Sequence, residues 1–127
     1  MADNLPDTIE NQLLDALVGT SSYSVTTPIK LALMTANGSD SAAGTEVTGG
    51  SYARETISFT SASSGSIEND SAISFTGMPS CTVVGIEIYD SAGSAKRLAY
   101  GALTASRTVT SGDTVQFASG AITLSLS

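Results

Sequence analysis

Carboxylates and a single thiol are the side chains in this sequence that could carry out acid–base or nucleophilic chemistry. The 127-residue chain has 12 Asp and Glu residues, one cysteine and no histidine. The missing histidine excludes Ser-His-Asp triads, histidine general bases and histidine metal ligands. Hydrolysis by paired carboxylates would need two acids in one cleft, one with a raised pKa. Glu46 and Glu87 are acids whose change to glutamine would abolish such an activity, but no two acids form an evident pair. We therefore predict that the protein is not an enzyme.

Oxygen and sulfur ligands for a metal ion or a cofactor are equally sparse. The densest oxygen cluster outside the N-terminal segment, residues 68–71, reads Glu-Asn-Asp-Ser. It lacks the alternating acids, fixed glycine and terminal glutamate of a calcium loop, so we interpret it as a solvated turn. Cys81 lies in an apolar run without a histidine to activate it, which favours a half-buried strand residue. The sequence therefore predicts no metal and no cofactor.

The charge and the aromatic residues limit the classes of partner. The net charge of −7, with five Lys and Arg residues, argues against nucleic-acid binding through phosphates. No apolar run reaches the length of a membrane span, and the N-terminus lacks a secretory pattern, so we expect neither a membrane partner nor export by that route. A sugar-binding platform would have to come from the four tyrosines, Tyr23, Tyr52, Tyr89 and Tyr100. We interpret two or three of them as strand-edge residues with hydroxyls that reach water.

One amphipathic helix is predicted over about residues 7–18. Apolar residues spaced three or four apart form its stripe: Ile9, Leu13, Leu14, Leu17 and Val18. Asp7 and Glu10 have the spacing of a capping box, and Gly19 is placed to end the helix. Three turns of helix are not stable alone. The apolar face must therefore dock on the protein's own sheet or on a neighbouring protein, which makes Leu13, Leu14, Leu17 and Val18 candidate interaction residues.

Short alternating runs dominate the chain from about residue 28 to 127. Glycine-containing turns separate them at intervals of roughly ten to fifteen residues. This spacing predicts a mainly β fold, an antiparallel sandwich or barrel-like domain of about seven to eight strands preceded by the one helix. No internal repeat or linker divides residues 1–127, so we predict a single domain.

The stretch GTEVTGGSYARETISF, residues 44–59, raises the question of a glycine-rich ligand loop. Its glycines precede a strand, whereas a phosphate cradle needs them to open a helix. The alternation puts Ile57 and Phe59 in the core, Glu55 in the same row, and Tyr52 and Arg54 on the opposite face. Arg54 is then either a cross-strand or intersubunit ion-pair partner or a solvated charge. We take Tyr52 and Arg54 as further candidate interaction residues.

The order of several phrases resembles a family of small tailed-phage virion proteins of the tail-fibre or minor-tail type. The phrases are NQLLDALVG, LALMT, GTEVTGGSYARETISF, VVGIEIYDSA, LAYGAL and RTVTSGDTVQFASGAITLSL. The resemblance implies a structural protein on the virion exterior, made in the host cytoplasm. It leaves a capsid decoration protein as an alternative, since small β-rich phage proteins also act in that way. The expected partners are other virion proteins and further copies of the chain, as a homotrimer or higher repeat. A host-surface glycan is the partner expected of a third alternative, a carbohydrate-binding module.

Overall fold

Nine strands and one helix, α1, make up the secondary structure of residues 5–126, the part of the chain that the computed structural model describes. All strand pairs among these residues are antiparallel. The predicted mainly β fold with one short N-terminal helix is confirmed. The bounds are α1 Asp7–Leu17, β1 Lys30–Ala36, β2 Thr45–Glu46, β3 Glu55–Thr56, β4 Ser66–Glu68, β5 Ile73–Phe75, β6 Cys81–Tyr89, β7 Arg97–Val109, β8 Val115–Phe117 and β9 Thr123–Ser125.

The main sheet has the order β2-β1-β6-β7, with β3 also paired to β1. Residues opposite each other in antiparallel strands share a face. Leu31, Ile88 and Ala99 are in register and form the first face, whereas Ala32, Glu87 and Tyr100 form the second face. β4 pairs with β9 and β5 with β8 in two small sheets. β2 and β4 are only two and three residues long, too short for an alternating pattern that would predict a strand.

The hydrophobic core joins the first face of the main sheet to the small sheet β5-β8. Leu31 and Leu33 are fully buried and belong to one cluster with Phe75 and Phe117. The rings of Phe75 and Phe117 meet edge to face at 83°, with centroids 6.4 Å apart, a favourable geometry for aromatic pairs. Alternation at period two therefore identifies the core residues of β5 and β8 and the first-face residues of β1. Ala32 and Met34 of β1, which alternation places on the opposite side, are buried as well.

Asn69 connects β4 to the segment before β9. Its side chain is 1% exposed, donates to the carbonyls of Ser71 and Ala118 at 2.9 Å each, and accepts the Ile122 N–H at 2.8 Å. The interpretation of residues 68–71 as a solvated turn is therefore wrong at Asn69, although its neighbours are exposed. A buried amide is retained because it satisfies three backbone groups that would otherwise lack partners.

Helix α1 begins directly after Pro6 and ends before Gly19. The predicted capping box is wrong: Asp7 is the first helical residue, the helix start has no side-chain cap, and the Glu10 N–H donates to the Pro6 carbonyl. Asp7 and Glu10 instead place negative charge at the positive end of the helix dipole. Gly19 has φ +78°, the left-handed conformation expected after a helix end. Among residues 5–126, no helix has the length and apolarity needed to cross a membrane.

Replacing Asn69 with alanine tests the connection between β4 and β9. The variant leaves the Ile122 N–H and two carbonyls without their partner, so the free energy of unfolding should fall by about 3 kcal/mol. Urea unfolding followed by circular dichroism measures it. Asn11→Ala on the exposed surface of α1 is the control and should change stability by less than about 0.5 kcal/mol. Equal effects of the two changes would contradict the assigned role.

Candidate interaction site

The Tyr52 side chain provides a hydrogen-bond partner for β1 where no neighbouring strand residue does. β2 pairs with Met34 and Ala36, and β3 pairs with Lys30 and Leu31, which leaves a gap at Leu33. The Leu33 carbonyl accepts the Val47 N–H at 2.9 Å, and the Leu33 N–H donates to the Tyr52 hydroxyl at 2.9 Å. The phenol thus supplies the acceptor that a continuous edge strand would have provided.

Tyr52, Glu46 and Arg54 form one hydrogen-bonded unit. The Tyr52 hydroxyl donates to Glu46 Oε2 at 2.7 Å, and Arg54 donates to both carboxylate oxygens at 3.0 and 2.9 Å. This fork-to-fork contact is the strongest geometry for an Arg–carboxylate pair. Of the two alternatives for Arg54, the ion pair is therefore present, and it lies within the chain.

Tyr52 itself does not lie where the alternation predicts. Its ring stacks on Phe75, with centroids 6.0 Å apart and an interplanar angle of 12°, and packs against the core. The reason is that β3 spans only Glu55–Thr56, so the alternation does not extend back to residue 52. Glu55 does lie on the core side as predicted, opposite Leu31, and is half-buried.

Burial acts to raise the pKa of Glu46, but the hydrogen bonds from Arg54 and Tyr52 and the charge of Arg54 outweigh it and hold that pKa below its usual range. Burial together with the bond to Glu46 raises the pKa of Tyr52. A catalytic acid needs a raised carboxyl pKa, and Glu46 has the opposite. The cluster is therefore suited to holding strands together.

Glu87 forms a second buried carboxylate site on the second face of the sheet. Its side chain is 1% exposed and accepts hydrogen bonds from the Tyr89 hydroxyl at 2.7 Å and the Gly44 N–H at 2.8 Å. Arg97 pairs with it at 3.4 Å. Residues 37–44 fold over this carboxylate so closely that a Cβ on Gly38 would lie 2.5 Å from Glu87 Oε2. Burial followed by the Glu87 bond raises the pKa of Tyr89 to about 12.

The tyrosines are engaged with charged groups of the same chain. Arg54 lies 3.9 Å from the ring centre of Tyr89, and Arg97 lies 4.9 Å from that of Tyr100. The hydroxyls of Tyr52, Tyr89 and Tyr100 donate to Glu46, Glu87 and Asp40. The prediction that tyrosine hydroxyls reach water is wrong for Tyr52 and Tyr89, whose hydroxyls bond carboxylates in partly buried sites, and for Tyr23, whose hydroxyl is buried. The contact between Tyr100 and Asp40 is exposed. A cation over one ring face also removes that face from a sugar platform.

The helix residues proposed from the sequence divide into two groups. Ile9 is buried and Leu13 packs against the core, so this part of the stripe attaches α1 to its own domain. Leu14, Leu17 and Val18 are 60%, 79% and 73% exposed. We call these three residues the helix patch. It is an apolar surface that nothing in residues 5–126 covers.

A second apolar surface, which the sequence analysis missed, lies beside β7. It is a groove of about 420 Å³ whose apolar lining includes Ile86, Leu103, Phe117, Ile122 and Leu124, with Arg107 among the lining residues. We call it the β7 groove. The alternation of Ile122 and Leu124 was a signal for a strand with one apolar face, but the sequence does not show that the face is left partly open.

No group of three or more Asp, Glu, Cys or His side chains with metal-site geometry occurs in residues 5–126. The cysteine is half-buried, and burial raises the pKa of the Cys81 thiol, which lowers the thiolate fraction needed of a nucleophile.

Comparison with known proteins places this arrangement in a family. Residues 4–125 match the family described as "Podophage GP4 fiber I protein gp80". The chain belongs to this fibre protein family. It is therefore a phage structural protein of the tail-fibre type, associated with the virion. No curated protein matches the chain.

The fibre-family resemblance expected from the sequence is thus confirmed, and the match covers nearly the whole chain. It includes both the helix patch and the β7 groove. Membership assigns no residue a role, so the roles of these surfaces have to be argued from their own geometry.

Tyr52→Phe tests the completed edge of β1. The change leaves the buried Leu33 N–H without an acceptor and removes one donor from Glu46, so stability should fall by about 2 kcal/mol. The matched control is Tyr23→Phe, because the buried Tyr23 hydroxyl has no hydrogen-bond partner within residues 5–126. Its removal should be neutral or slightly stabilising. The same loss for both variants in urea unfolding would refute the assignment.

The lowered pKa of Glu46 predicts a pH dependence of stability. A carboxyl whose pKa is lower in the folded state stabilises it fully above the ordinary value of about 4.3, and this stabilisation disappears as the pH falls through the lowered pKa. The stability advantage of the wild type over Glu46→Gln should therefore shrink on acidification below about pH 4. Tyr52→Phe, which keeps the two Arg54 bonds, should show an intermediate slope. Thermal unfolding from pH 7 to 3 measures this, and parallel curves for all three proteins would contradict it.

Proposed function

We propose that the protein is a non-enzymatic tail-fibre or minor-tail module that lies on the exterior of the phage particle and acts through protein–protein contacts. The observation that carries the proposal is the helix patch in a chain of the fibre family. Three large apolar side chains at the end of one short helix, each at least 60% exposed, are a surface that association would remove from water. Burying a Leu or Val side chain contributes about 1.5–3 kcal/mol.

The polar residues also support assembly through apolar contacts, because they bond partners within the same chain. Glu46 and Glu87 accept hydrogen bonds from donors of the same chain, and Arg54 and Arg97 are paired with them. These groups stabilise the domain itself, so Tyr52 and Arg54 are not part of the proposed interface. The contacts left for assembly are apolar, and the helix patch is the part of the sequence-based candidate set that remains available.

The proposed partners are other virion proteins and further copies of the chain, as a homotrimer or a higher repeat. Closed symmetric assemblies repeat the same weak contact several times, which raises the overall affinity without new contacts. The net charge of −7 disfavours nucleic acid as a partner. The fibre family favours the tail over the capsid, and a decoration protein of the capsid lattice remains the alternative.

Substitution of Leu14 and Leu17 by aspartate tests the helix patch. The doubly substituted protein should fold normally and should be incorporated into particles at least tenfold less well, because two charges would enter an apolar contact. Leu13 is left unchanged because it packs against the core. Val25→Asp is the control, since Val25 is an exposed apolar residue outside the helix, and it should be incorporated like the wild type.

Quantitative densitometry of purified particles gives both the incorporation and the copy number. A few copies per particle support the tail module, whereas copies comparable to the major capsid protein support decoration. Absence of the wild-type protein from particles would refute a virion role altogether. Normal incorporation of the Leu14/Leu17 variant would refute the helix patch as the docking surface, and saturable binding on a glycan array would favour the carbohydrate-binding alternative.

A further inference from the structure

We propose that the helix patch of one copy docks into the β7 groove of a neighbouring copy, with Asp15 of the helix meeting Arg107 of the groove. The inference rests on the proposed function, because it assumes that copies of the chain associate. It adds the contact by which they do so and names a second copy of this chain as the occupant of both surfaces.

The two surfaces account for most of the large apolar side chains that remain in water. Five such residues are exposed within residues 5–126, and three of them form the helix patch. A fourth, Leu126, is 52% exposed and follows Ile122 and Leu124, two residues that line the β7 groove, at period two, so it shares their side of the strand. One surface projects from a helix end and the other is concave, which is the arrangement of a helix bound in a groove.

The two surfaces do not cover each other within one copy. Leu14, Leu17 and Val18 are 60%, 79% and 73% exposed, and none of the three is among the residues that line the β7 groove. A contact that buries the helix patch in the groove therefore joins different copies.

Charge makes the same pairing favourable. Helix α1 carries Asp7, Glu10 and Asp15 and has no basic residue in its last turn. Asp15 and Val18 are three positions apart and so are neighbours on the helix surface. Arg107 is exposed, lies 4.8 Å from the ring centre of Phe117, and uses one N–H to bond the Gln116 carbonyl. Within residues 5–126 no carboxylate lies within 4 Å of Arg107. Its remaining N–H groups can therefore donate to a carboxylate of a neighbouring copy.

A strand added to the free edge of β7 is the competing way to cover this region. The ladder between β6 and β7 is irregular there: Val83 pairs with Arg107 and Gly85 with Ala102, so residues 103–106 face Val84 alone. Such a bulge disturbs the regular row of backbone groups that an incoming strand needs. The geometry therefore favours a helix on the apolar groove over a strand on the edge.

A contact between the helix patch and the β7 groove uses two different surfaces on each copy, so it is heterologous. Contacts of this kind form a closed ring when the rotation between copies closes, and otherwise a filament. A ring of three would satisfy every patch and every groove in the assembly. The contact thus provides a physical route to the proposed homotrimer.

The first test is a charge exchange in the full chain, measured by sedimentation velocity over a range of protein concentrations at low salt. Asp15→Arg and Arg107→Asp should each weaken association about tenfold, because each places like charges together. The double variant should return to within about threefold of the wild type. Asp70→Arg, at an exposed acid that is neither in the helix patch nor among the residues lining the groove, is the control. Single variants that associate like the wild type, or a double variant as weak as the singles, would overturn the proposed pair.

The second test is crosslinking between two separately labelled populations in a Cys81→Ser background. A protein with Leu17→Cys is mixed with a protein with Leu126→Cys and treated with a short bismaleimide. Crosslinks between the two populations should form at least tenfold faster than crosslinks within either one. Preferential Leu17–Leu17 crosslinks, or none in a sample that sedimentation shows to be associated, would overturn the inference.

Failure of the inference and failure of the proposed function give different results. If the Leu14/Leu17 variant is lost from particles while charge exchange and crosslinking show no effect, the helix patch docks on another virion protein and the groove assignment is wrong. If association instead depends on residues 103–106 and not on the helix, strand addition at β7 replaces the proposed contact. If the wild type never enters particles, the proposed function itself is refuted.

Discussion

The hydrogen bond between the Leu33 N–H and the Tyr52 hydroxyl is the contact on which the edge of the main sheet depends. β1 lies between β6 and an edge made of two separate dipeptides, β2 and β3, and the fully buried Leu33 lies at the gap between them. An unpaired backbone N–H at that depth would cost about 1–3 kcal/mol. Because the phenol also donates to Glu46, and Glu46 binds Arg54, one side chain ties the glycine-rich segment 44–54 to the centre of the domain.

Charged groups in this protein mostly serve the fold. Glu46 and Glu87 are the two acids that could have suggested a hydrolase. Glu46 accepts hydrogen bonds from Tyr52 and Arg54, and Glu87 accepts them from Tyr89, Arg97 and the Gly44 N–H. Arg54 and Arg97 then cover the rings of Tyr89 and Tyr100. In a chain with few bases, this leaves Arg107 as an exposed cation without a carboxylate partner in residues 5–126, at the side of an open apolar groove. Because these polar groups bond one another within the chain, the surfaces left for contact are the helix patch and the β7 groove with Arg107.

A fold stabilised by internal polar contacts, with apolar surfaces left exposed, suits a fibre protein of a virion. The domain has to hold together without disulfides, since it has one cysteine, and its buried polar networks contribute specificity of packing as well as stability. In the proposed assembly, association relies on a few apolar side chains that every copy repeats. Ile9 and Leu13 attach the eleven-residue helix to the core, whereas Leu14 and Leu17 in the helix and Val18 directly after it are exposed.

The sequence by itself determined the features that depend on local patterns. Alternation of apolar residues identified β1, β5, β6, β8 and the segment of β9, the i+4 spacing identified α1, and the phrases shared with phage tail proteins identified the family.

The sequence did not determine which residues that are far apart in the chain contact each other. Tyr52 was assigned to the wrong face because β3 is only two residues long, Asn69 was not recognised as buried, and the capping box failed because the helix begins at Asp7 itself. Only the tertiary structure decided which acid meets which tyrosine, and that half of the helix stripe faces the core while the other half faces solvent. The physical reason is that periodicity reports which side of an element is apolar, whereas contacts and exposure depend on what the rest of the fold places against that side.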